Sequence, residues 1–348
     1  MSSKKQILVG DIKIGGGAPI SVQTMTNSNT EDVQATLRQI EHVTELGCDL
    51  VRVSCPTPES TTALRKIVKH SRIPVIADIH FNYKRAIEAI DAGAACVRIN
   101  PGNTPSSGIK EIVKASQLNN TAIRIGINSG SLEQDILERY GEPSTDAIVE
   151  SAVLHCRKLE ELSFHNFKVS VKSSDVKTAI DAYRKLSRLI DYPLHLGITE
   201  AGTFLPGAIK SAIGIGSLLA DGIGDTIRVS LSSDISDEIL IAQQILKSLK
   251  LLKNSVDIVS CPTCSRTLID VIGISKTLNE YCSHMRKELR ISVLGCCVNG
   301  VGEAKHSDIG IYGFKKGIAK IFLNGQEVST LDEHEVIEYV KALIAEAT

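Results

Sequence analysis

The cysteines near the carboxyl end of the chain have the spacing of metal or cluster ligands. Cys261 and Cys264 form a Cys-x-x-Cys pair, and Cys296 and Cys297 are adjacent in a glycine-rich segment. A Cys-x-x-Cys pair can direct two thiolates at one metal ion or iron–sulfur cluster. Adjacent cysteines in an extended segment point to opposite faces, so only one of them readily joins the pair. Three thiolates and one open position suit an iron–sulfur cluster that also carries out chemistry, and a closed zinc site remains the alternative.

A second set of residues, all basic, lies within short apolar segments of the first part of the chain. These residues are Arg52, Arg98, Arg124, Lys168 and Arg228. Two carboxylates are visible near them, Asp78 and Glu200, which are too few to pair with the whole set. Unpaired buried cations are costly. We therefore expect an external anion, and a phosphorylated small molecule fits best.

Polar residues accompany the basic ones at the ends of the same segments. Side chains alternate between two faces along a strand, so a residue two or four positions on shares a face with the first. The same rule places His80 on the face of Asp78. The polar residues brought beside the basic set in this way are Asn100, Asn128 and Ser230.

The apolar segments predict eight strands, with amphipathic segments of helical length between them, such as 31–46, 83–92, 175–190 and 236–249. Such alternation over about 250 residues is typical of an α/β fold, the (β/α)8 or TIM barrel. In this barrel the carboxyl ends of the strands form the active site, so the basic residues are expected to meet at one mouth. The predicted strands are Ser21–Met25, Leu50–Ser54, Val75–Ile79, Cys96–Asn100, Ile123–Ile127, Phe167–Lys172, Leu194–Thr199 and Thr226–Leu231.

The length of 348 residues suits this barrel over residues 1–250 and a smaller α+β domain over 251–348. A hairpin over Ile7–Ile14 is expected to plug the amino-terminal end of the barrel. A net charge of −1 argues against recruitment by nucleic acid or a membrane surface. Nine cysteines without a secretory signal favour a reducing compartment, so we expect a cytoplasmic protein.

Six segments, taken together, resemble the bacterial 4-hydroxy-3-methylbut-2-enyl diphosphate synthase family of the non-mevalonate isoprenoid pathway. They occur in order over nearly the whole chain. Two departures stand in the last segment, Val301 where the family usually has proline and Cys297 where it commonly has valine. The segments are Gln23–Thr26, Ala77–Phe81, Arg98–Asn103, Ile198–Gly202, Cys261–Cys264 and Gly295–Glu303.

The resemblance implies a 4Fe-4S cluster held by Cys261, Cys264, Cys296 and Glu303. It also implies that a diphosphate is held by Arg52, Arg98, Arg124 and Lys168, with Asn128 beside them. The substrate would be 2-C-methyl-D-erythritol 2,4-cyclodiphosphate, opened and dehydrated by two electrons. Flavodoxin or ferredoxin would supply these electrons, since the sequence has no nicotinamide-binding fingerprint. Glu303, Glu200, Asp78 and His80 are the catalytic candidates, and Asn100, Arg228 and Ser230 complete the expected substrate site.

The connection between the two domains predicts a head-to-tail homodimer. The last barrel helix returns to the far end of the barrel, and a short linker then leaves little length for the second domain to reach the mouth of its own barrel. In a two-fold dimer each cluster would instead cover the partner's barrel. Two other functions remain open: a zinc-bearing or cluster-free barrel enzyme similar to pterin-binding barrels, and a cluster-based sensor.

Overall fold

The structure is a computed structural model that describes residues 3–80, 82–100, 102, 104–283, 285 and 287–347. Phe81, Pro101 and Asn103, which belong to two of the segments above, lie outside the described residues. The chain divides into two units, Met1–Leu251 and Leu252–Thr348. None of the helices in the described part is long and apolar enough to cross a membrane.

An antiparallel hairpin of β1 (Gln6–Val9) and β2 (Ile12–Gly15) begins the first unit. The turn requires Gly10, whose φ is +60°. Buried apolar residues of the hairpin, among them Ile7 and Val9, pack against residues near the amino ends of barrel strands, including Leu50. The predicted plug of the barrel is confirmed.

Eight parallel strands follow and form one sheet. They are β3 (Ser21–Met25), β4 (Leu50–Ser54), β5 (Val75–Asp78), β6 (Cys96–Ile99), β7 (Ala122–Asn128), β8 (Phe167–Lys172), β9 (His195–Leu196) and β10 (Thr226–Ile227). Their order in the sheet is β8-β7-β6-β5-β4-β3-β10-β9. A bridge between Val169 and Leu194 joins β8 to β9 and closes the barrel. The predicted (β/α)8 fold is confirmed.

The last two strands are shorter than predicted, with two residues each. Gly197 has no room for a side chain. A Cβ at this position would lie 2.7 Å from the Arg228 carbonyl oxygen and 2.7 Å from the Lys172 Nζ. The chain leaves the regular ladder at this close approach, which only glycine permits.

The helices between the strands present an apolar face to the sheet. They are α1 (Val33–Glu45), α2 (Pro58–His70), α3 (Tyr83–Asp91), α4 (Ser106–Asn119), α5 (Gln134–Tyr140), α6 (Thr145–Glu161), α7 (Val176–Leu186), α8 (Phe204–Ala220) and α9 (Ile235–Ser248). Side chains cap several of them; Asp32 accepts from the Ala35 N–H and Asp175 from the Thr178 N–H. These caps explain why α1 and α7 begin later than the amphipathic pattern suggested.

The second unit is an α+β sheet domain, as predicted. Its elements are β11 (Val256–Ser260), α10 (Val271–Cys282), β12 (Leu289–Leu294), α11 (Cys297–Lys305), β13 (Ile309–Lys315), β14 (Ile318–Leu323), β15 (Gln326–Asp332) and α12 (Glu333–Glu346). The sheet order is β11 to β15, parallel for the first three strands and antiparallel afterwards. Helices α10 and α12 bury Leu278 and Val340 against it.

Two elements of this unit differ from the sequence expectation. Strand β15 had not been predicted, and the glycine-rich segment after Cys296, which we had taken as extended, is a helix, α11. The helix forms because its glycines allow close packing: a Cβ on Gly300 would come within 2.5 Å of the Tyr312 side chain. Tertiary contact with β13 therefore overrides the low helix propensity of glycine.

Candidate active site and cluster ligands

Asp78 lies at the centre of the barrel mouth and is the group around which the cations are arranged. Its carboxylate is 2% exposed and lies 3.6 Å from Nε of Arg52, 3.4 Å from Nη1 of Arg98 and 3.3 Å from Nε2 of His80. Burial acts to raise the pKa of Asp78, but Arg52, the hydrogen bond from His80 and Arg98 outweigh it and hold that pKa well below its usual range. Asp78 is therefore an anion shared among several donors.

The Arg98 side chain occupies the space beside Gly126, a residue of the next strand, β7. A Cβ on Gly126 would stand 2.6 Å from the Arg98 Nε, so glycine is what lets the guanidinium cross β7. Asn128, at the end of β7, accepts from Arg98 Nη2 at 3.2 Å while its amide nitrogen donates to the Ile127 carbonyl. The predicted neighbourhood of Arg98 and Asn128 is present.

Arg124 is more deeply buried than Arg98. It is paired in register with Arg98 and with Lys168, and only 1% of it is exposed. Its Nη1 donates to the Ser170 hydroxyl at 3.2 Å, a neutral acceptor. Burial, and then Arg52 and Arg98, lower the pKa of Arg124. The interior of the barrel therefore holds a guanidinium whose best acceptor in the described structure is a hydroxyl.

Lys168 does not reach the mouth, which corrects the sequence expectation. It is the second residue of β8, opposite Arg124, and is fully buried beside Cys96. Lys172, four residues later on the same face and opposite Asn128, occupies the strand end instead. Sequence reasoning missed Lys172, although strand alternation from Lys168 was a signal that could have found it.

Arg228 has a carboxylate partner of its own, which the sequence had not shown. Glu238 on α9 lies 3.4 Å from Nη2 of Arg228, accepts the Leu231 N–H at 3.1 Å and accepts the Thr24 hydroxyl at 2.6 Å. Glu238 is 4% exposed. Glu238 lies in the first turn of a predicted helix, where acidic residues are common. Its position in the sequence therefore did not indicate a contact with Arg228.

The remaining candidates surround this cluster with varied exposure. Asn100 is buried, its side-chain oxygen accepts the Gly102 N–H, and its carbonyl accepts the Thr104 hydroxyl. Ser230 is partly exposed, whereas His80 and Glu200 are exposed, and Glu200 has a φ of +52°. A left-handed conformation at a non-glycine residue costs about 1 kcal/mol or more. Five other non-glycine residues of the described chain share it, so it does not by itself mark Glu200 as functional.

The cluster-ligand candidates gather at the carboxyl ends of two neighbouring parallel strands. Cys261 follows β11, and Cys296 follows β12 and precedes α11. The Cys261 N–H donates to the Val293 carbonyl at 3.2 Å, and the Gly295 N–H donates to the Cys261 Sγ at 3.2 Å. Cys264 is exposed, and its N–H donates to the Thr267 hydroxyl at 3.0 Å.

Glu303 lies seven residues beyond Cys296, which is the N-cap of α11 and has an extended backbone conformation. Its carboxylate lies 3.4 Å from Nη2 of Arg290, and both side chains are more than 40% exposed. Three accessible thiols, a backbone N–H aimed at one of the sulfurs and an exposed carboxylate fit an iron–sulfur cluster with one exchangeable ligand. Cys297, the first residue of α11, is exposed beside this set.

The first unit is a closed parallel barrel with buried cations at its mouth, and the second, smaller unit carries four accessible cysteines and an exposed carboxylate. These features define a two-domain barrel protein suited to an anionic substrate and a metal cluster. The chain belongs to the GcpE family. The family's TIM-barrel domain matches residues 4–243, and its C-terminal domain matches residues 257–346.

Curated relatives match almost the entire chain. A protein of Zymomonas mobilis is 52% identical over 341 residues, which are 98% of this chain and 90% of the relative. A protein of Fusobacterium nucleatum is 48% identical over 98% of this chain and 96% of its own length. Both are named 4-hydroxy-3-methylbut-2-en-1-yl diphosphate synthase (flavodoxin).

Solved structures similar to the chain include dihydropteroate synthases. The Yersinia pestis protein has a TM-score of 0.51 at 12% identity and covers 71% of this chain and all of its own. The Xanthomonas albilineans protein, with bound 4-aminobenzoic acid, has a TM-score of 0.50 at 12% identity and covers 72% of this chain. At this identity the similarity concerns the barrel fold alone.

Proposed function

We infer that the chain catalyses the reaction named for its curated relatives. It opens the ring of 2-C-methyl-D-erythritol 2,4-cyclodiphosphate and releases (E)-4-hydroxy-3-methylbut-2-enyl diphosphate and water, using two electrons and one proton. Flavodoxin is the electron donor, and the step belongs to isoprenoid precursor synthesis in the cytoplasm. The observation that carries this conclusion is the buried cation cluster at the barrel mouth, in a chain that matches these relatives from end to end.

Arg52, Arg98 and Arg124 are proposed to bind the diphosphate, with Asn128 orienting Arg98. Guanidiniums form paired hydrogen bonds with phosphate oxygens. Lys172 takes the strand-end position that we had expected for Lys168. Lys168 lies opposite Arg124 in the strand pairing and is fully buried. The substrate's charge then offsets the repulsion among cations that the free protein contains.

Asn100, Ser230 and Arg228 are proposed to bind the remainder of the substrate. Glu238 holds Arg228 in place from α9, at 3.4 Å. Because Arg228 already has a carboxylate partner, we assign it to orientation of the substrate rather than to charge neutralisation.

His80 and Glu200 are the groups placed to handle the proton consumed when the hydroxyl leaves as water. Asp78 orients His80 through the 3.3 Å contact with its Nε2. A proton on the departing oxygen turns a poor leaving group into water, which is the purpose of general acid catalysis.

Cys261, Cys264, Cys296 and Glu303 are proposed to hold a 4Fe-4S cluster in the second domain. When bound, such a cluster supplies electrons one at a time and polarises an oxygen atom as a Lewis acid. A carboxylate is a harder and more exchangeable ligand on iron than a thiolate, so Glu303 is the ligand that can give way. In this assignment residues 1–250 bind the substrate and residues 251–348 carry the cluster.

The proposed working unit is a head-to-tail homodimer. Helix α9 has 14 residues and travels about 21 Å back from the mouth side of the barrel. The segment from Leu249 to Ser255 then spans at most about 25 Å when fully extended. This short length supports an arrangement in which each second domain covers the partner's barrel.

Complementation tests the shared site. An Arg124→Ala chain and a Cys264→Ser chain are mixed after dissociation and allowed to reassociate. With shared sites, one site of each mixed dimer is intact, and activity returns to about a quarter of wild type under random pairing. Self-contained sites each keep one lesion, and no activity returns.

The reaction itself is tested with protein purified without air. Absorption spectroscopy and iron and sulfide analysis measure the cluster, and an assay with reduced flavodoxin measures product. Coloured protein with turnover is the expected result. A colourless, active zinc protein would support the pterin-barrel alternative, and a coloured protein that binds the substrate without turnover would support the sensor; either result overturns the proposed reaction.

A further inference from the structure

The two lysines of β8 form an unusual pair inside the barrel. Lys168 and Lys172 are four residues apart on the inward face, with Ser170 between them. Lys168 is 0% exposed and Lys172 is 7% exposed. The Lys168 Nζ is fully buried and has no hydrogen-bond partner among the described residues. An ammonium group is rarely buried without a hydrogen-bond partner, because an unpaired buried charge strongly destabilises a fold.

The charged groups that face these lysines are mainly cations. Lys168 meets Arg124 of β7, the Cys96 thiol of β6 and the His195 imidazole of β9. Lys172 is under the electrostatic influence of four guanidiniums, those of Arg52 on β4, Arg98 on β6, Arg124 on β7 and Arg228, which follows β10. The two carboxylates buried among these arginines already have partners. Asp78 pairs with Arg52, Arg98 and His80, and Glu238 pairs with Arg228.

The surroundings therefore favour neutral amines. Burial, partly opposed by the Cys96 thiol and reinforced by Arg124, lowers the pKa of Lys168 to about 8. Burial, followed by Arg124 and Arg228, lowers the pKa of Lys172 well below its usual value. The arginines keep their protons, since a guanidinium starts from a far higher pKa. Burial and Arg124 also lower the pKa of His195, which stays a neutral imidazole.

We propose that Lys172, and at higher pH Lys168, are uncharged amines in the free protein and take up protons from solvent when the diphosphate binds. The inference deepens the proposed function and rests on the diphosphate site being at this mouth. A dianion beside Arg124 and Lys172 reverses the local potential, so the charged form of each lysine becomes the favoured one. Each uptake converts one amine into one ammonium ion, with the proton coming from water or buffer.

The uptake has a use in the reaction. Ring opening breaks the bond between carbon and the ester oxygen of one phosphate. That phosphate becomes the terminal phosphate of the linear diphosphate and carries an additional ionisable oxygen. An ammonium formed on substrate binding is then in place to stabilise the charge that develops on this oxygen. Before the substrate arrives, the free protein avoids one more buried cation at neutral pH and a second one at higher pH.

Calorimetry can count these protons. The oxidised, cluster-loaded, full-length protein is titrated with the cyclodiphosphate in two buffers of different ionisation enthalpy. Each phosphate of this ligand has one ester bond, one anhydride bond and a single strongly acidic oxygen that does not titrate near neutrality, so the protons counted belong to the protein. We expect uptake at pH 7, mainly by Lys172, and a larger uptake at pH 8, where about half of Lys168 is also neutral.

Three variants assign the protons. Lys172→Met is expected to lose the uptake at pH 7, whereas Lys168→Met keeps it and loses the rise at pH 8. Lys110→Met, an exposed site on α4, is the matched control and should behave as wild type. Binding heats that do not depend on the buffer would overturn the proton uptake while leaving the diphosphate site intact. No binding of the cyclodiphosphate to the wild-type protein would instead overturn the site.

A second measurement covers variants that bind too weakly for calorimetry. Carbon-13 NMR of protein labelled at the lysine Cε distinguishes amine from ammonium in the free wild-type protein. The two resonances are assigned by their absence from the methionine variants. An ammonium signal for Lys172 at pH 7 in the free protein would refute the proposal.

Discussion

The barrel mouth and the cluster-ligand region solve opposite physical problems. At the mouth Asp78, Arg98 and Arg124 are at most 6% exposed, and cations outnumber carboxylates. Around the cysteines the polar groups are accessible, and the Arg290–Glu303 ion pair has side chains 43% and 42% exposed. The first region holds unfavourable charge that the proposed diphosphate would relieve. The second holds a carboxylate weakly, as the proposed exchangeable ligand requires.

This difference shows where each region obtains its function. Buried charges interact strongly and are fixed by the strands that carry them, so they suit the recognition and orientation of an anion. Exposed pairs are screened by water and contribute little to stability, so they suit a ligand that must come and go. Substitutions should therefore act differently in the two regions.

The largest effect is expected from Glu303→Cys. A fourth thiolate should keep the cluster but cannot exchange as a carboxylate does, so turnover should fall by about a hundredfold or more. Iron and sulfide content and the rate with reduced flavodoxin are the measurements, with Glu346→Cys as an exposed control in the same unit. Substantial turnover by an iron-replete Glu303→Cys protein would rule out the exchangeable role.

Arg124→Ala should weaken substrate binding about 10- to 100-fold, because it removes charged hydrogen bonds to the diphosphate. The melting temperature should hold or rise, since the substitution also removes a buried cation that lacks a carboxylate partner. Arg65→Ala on the exposed side of α2 is the control. An unchanged apparent affinity, measured with the cluster intact, would contradict the assignment.

Glu238→Gln should destabilise the barrel by about 1–2 kcal/mol. The carboxamide oxygen can still accept the Leu231 N–H, but the amide nitrogen replaces the oxygen that accepts the Thr24 hydroxyl. The loss therefore combines that hydrogen bond with the charge opposite Arg228. Denaturant unfolding of the single variants and of the pair with Arg228→Met forms a double-mutant cycle. The double variant should recover part of the loss; strictly additive effects would show that the two residues do not interact.

The smallest effect is expected from Arg290→Gln, which should change the free energy of unfolding by less than about 0.5 kcal/mol. The pair it breaks with Glu303 is long and exposed. Chemical denaturation, followed by a signal from the second unit, measures this change in the free energy of unfolding. Comparing it with the loss caused by Glu238→Gln sharpens the contrast between the two regions. A loss as large as that of Glu238→Gln would mean that Glu303 is firmly held and would argue against an exchangeable ligand.

Strand periodicity was sufficient to predict the barrel, the plug and most of the mouth. Arg52, Arg98, Asp78 and Asn128 carry a simple signal, a polar residue at alternate positions near the end of an apolar strand. Periodicity gives the face of a strand but not the depth along the barrel axis. Lys168 was therefore expected at the mouth, although it is the second residue of β8 and lies fully buried near Cys96, the first residue of β6.

The amino-acid sequence by itself determined the strand faces, the helix amphipathicity and the chemical types of the ligands, because these depend on residues close together in the chain. The tertiary structure alone decided which charges meet. Glu238 reaches Arg228 and Thr24 only because α9 packs beside β3 and β10. The glycine-rich segment after Cys296 becomes α11 only because Gly300 packs against Tyr312. In both cases contacts between residues distant in sequence outweigh local preference, and no local pattern encodes them.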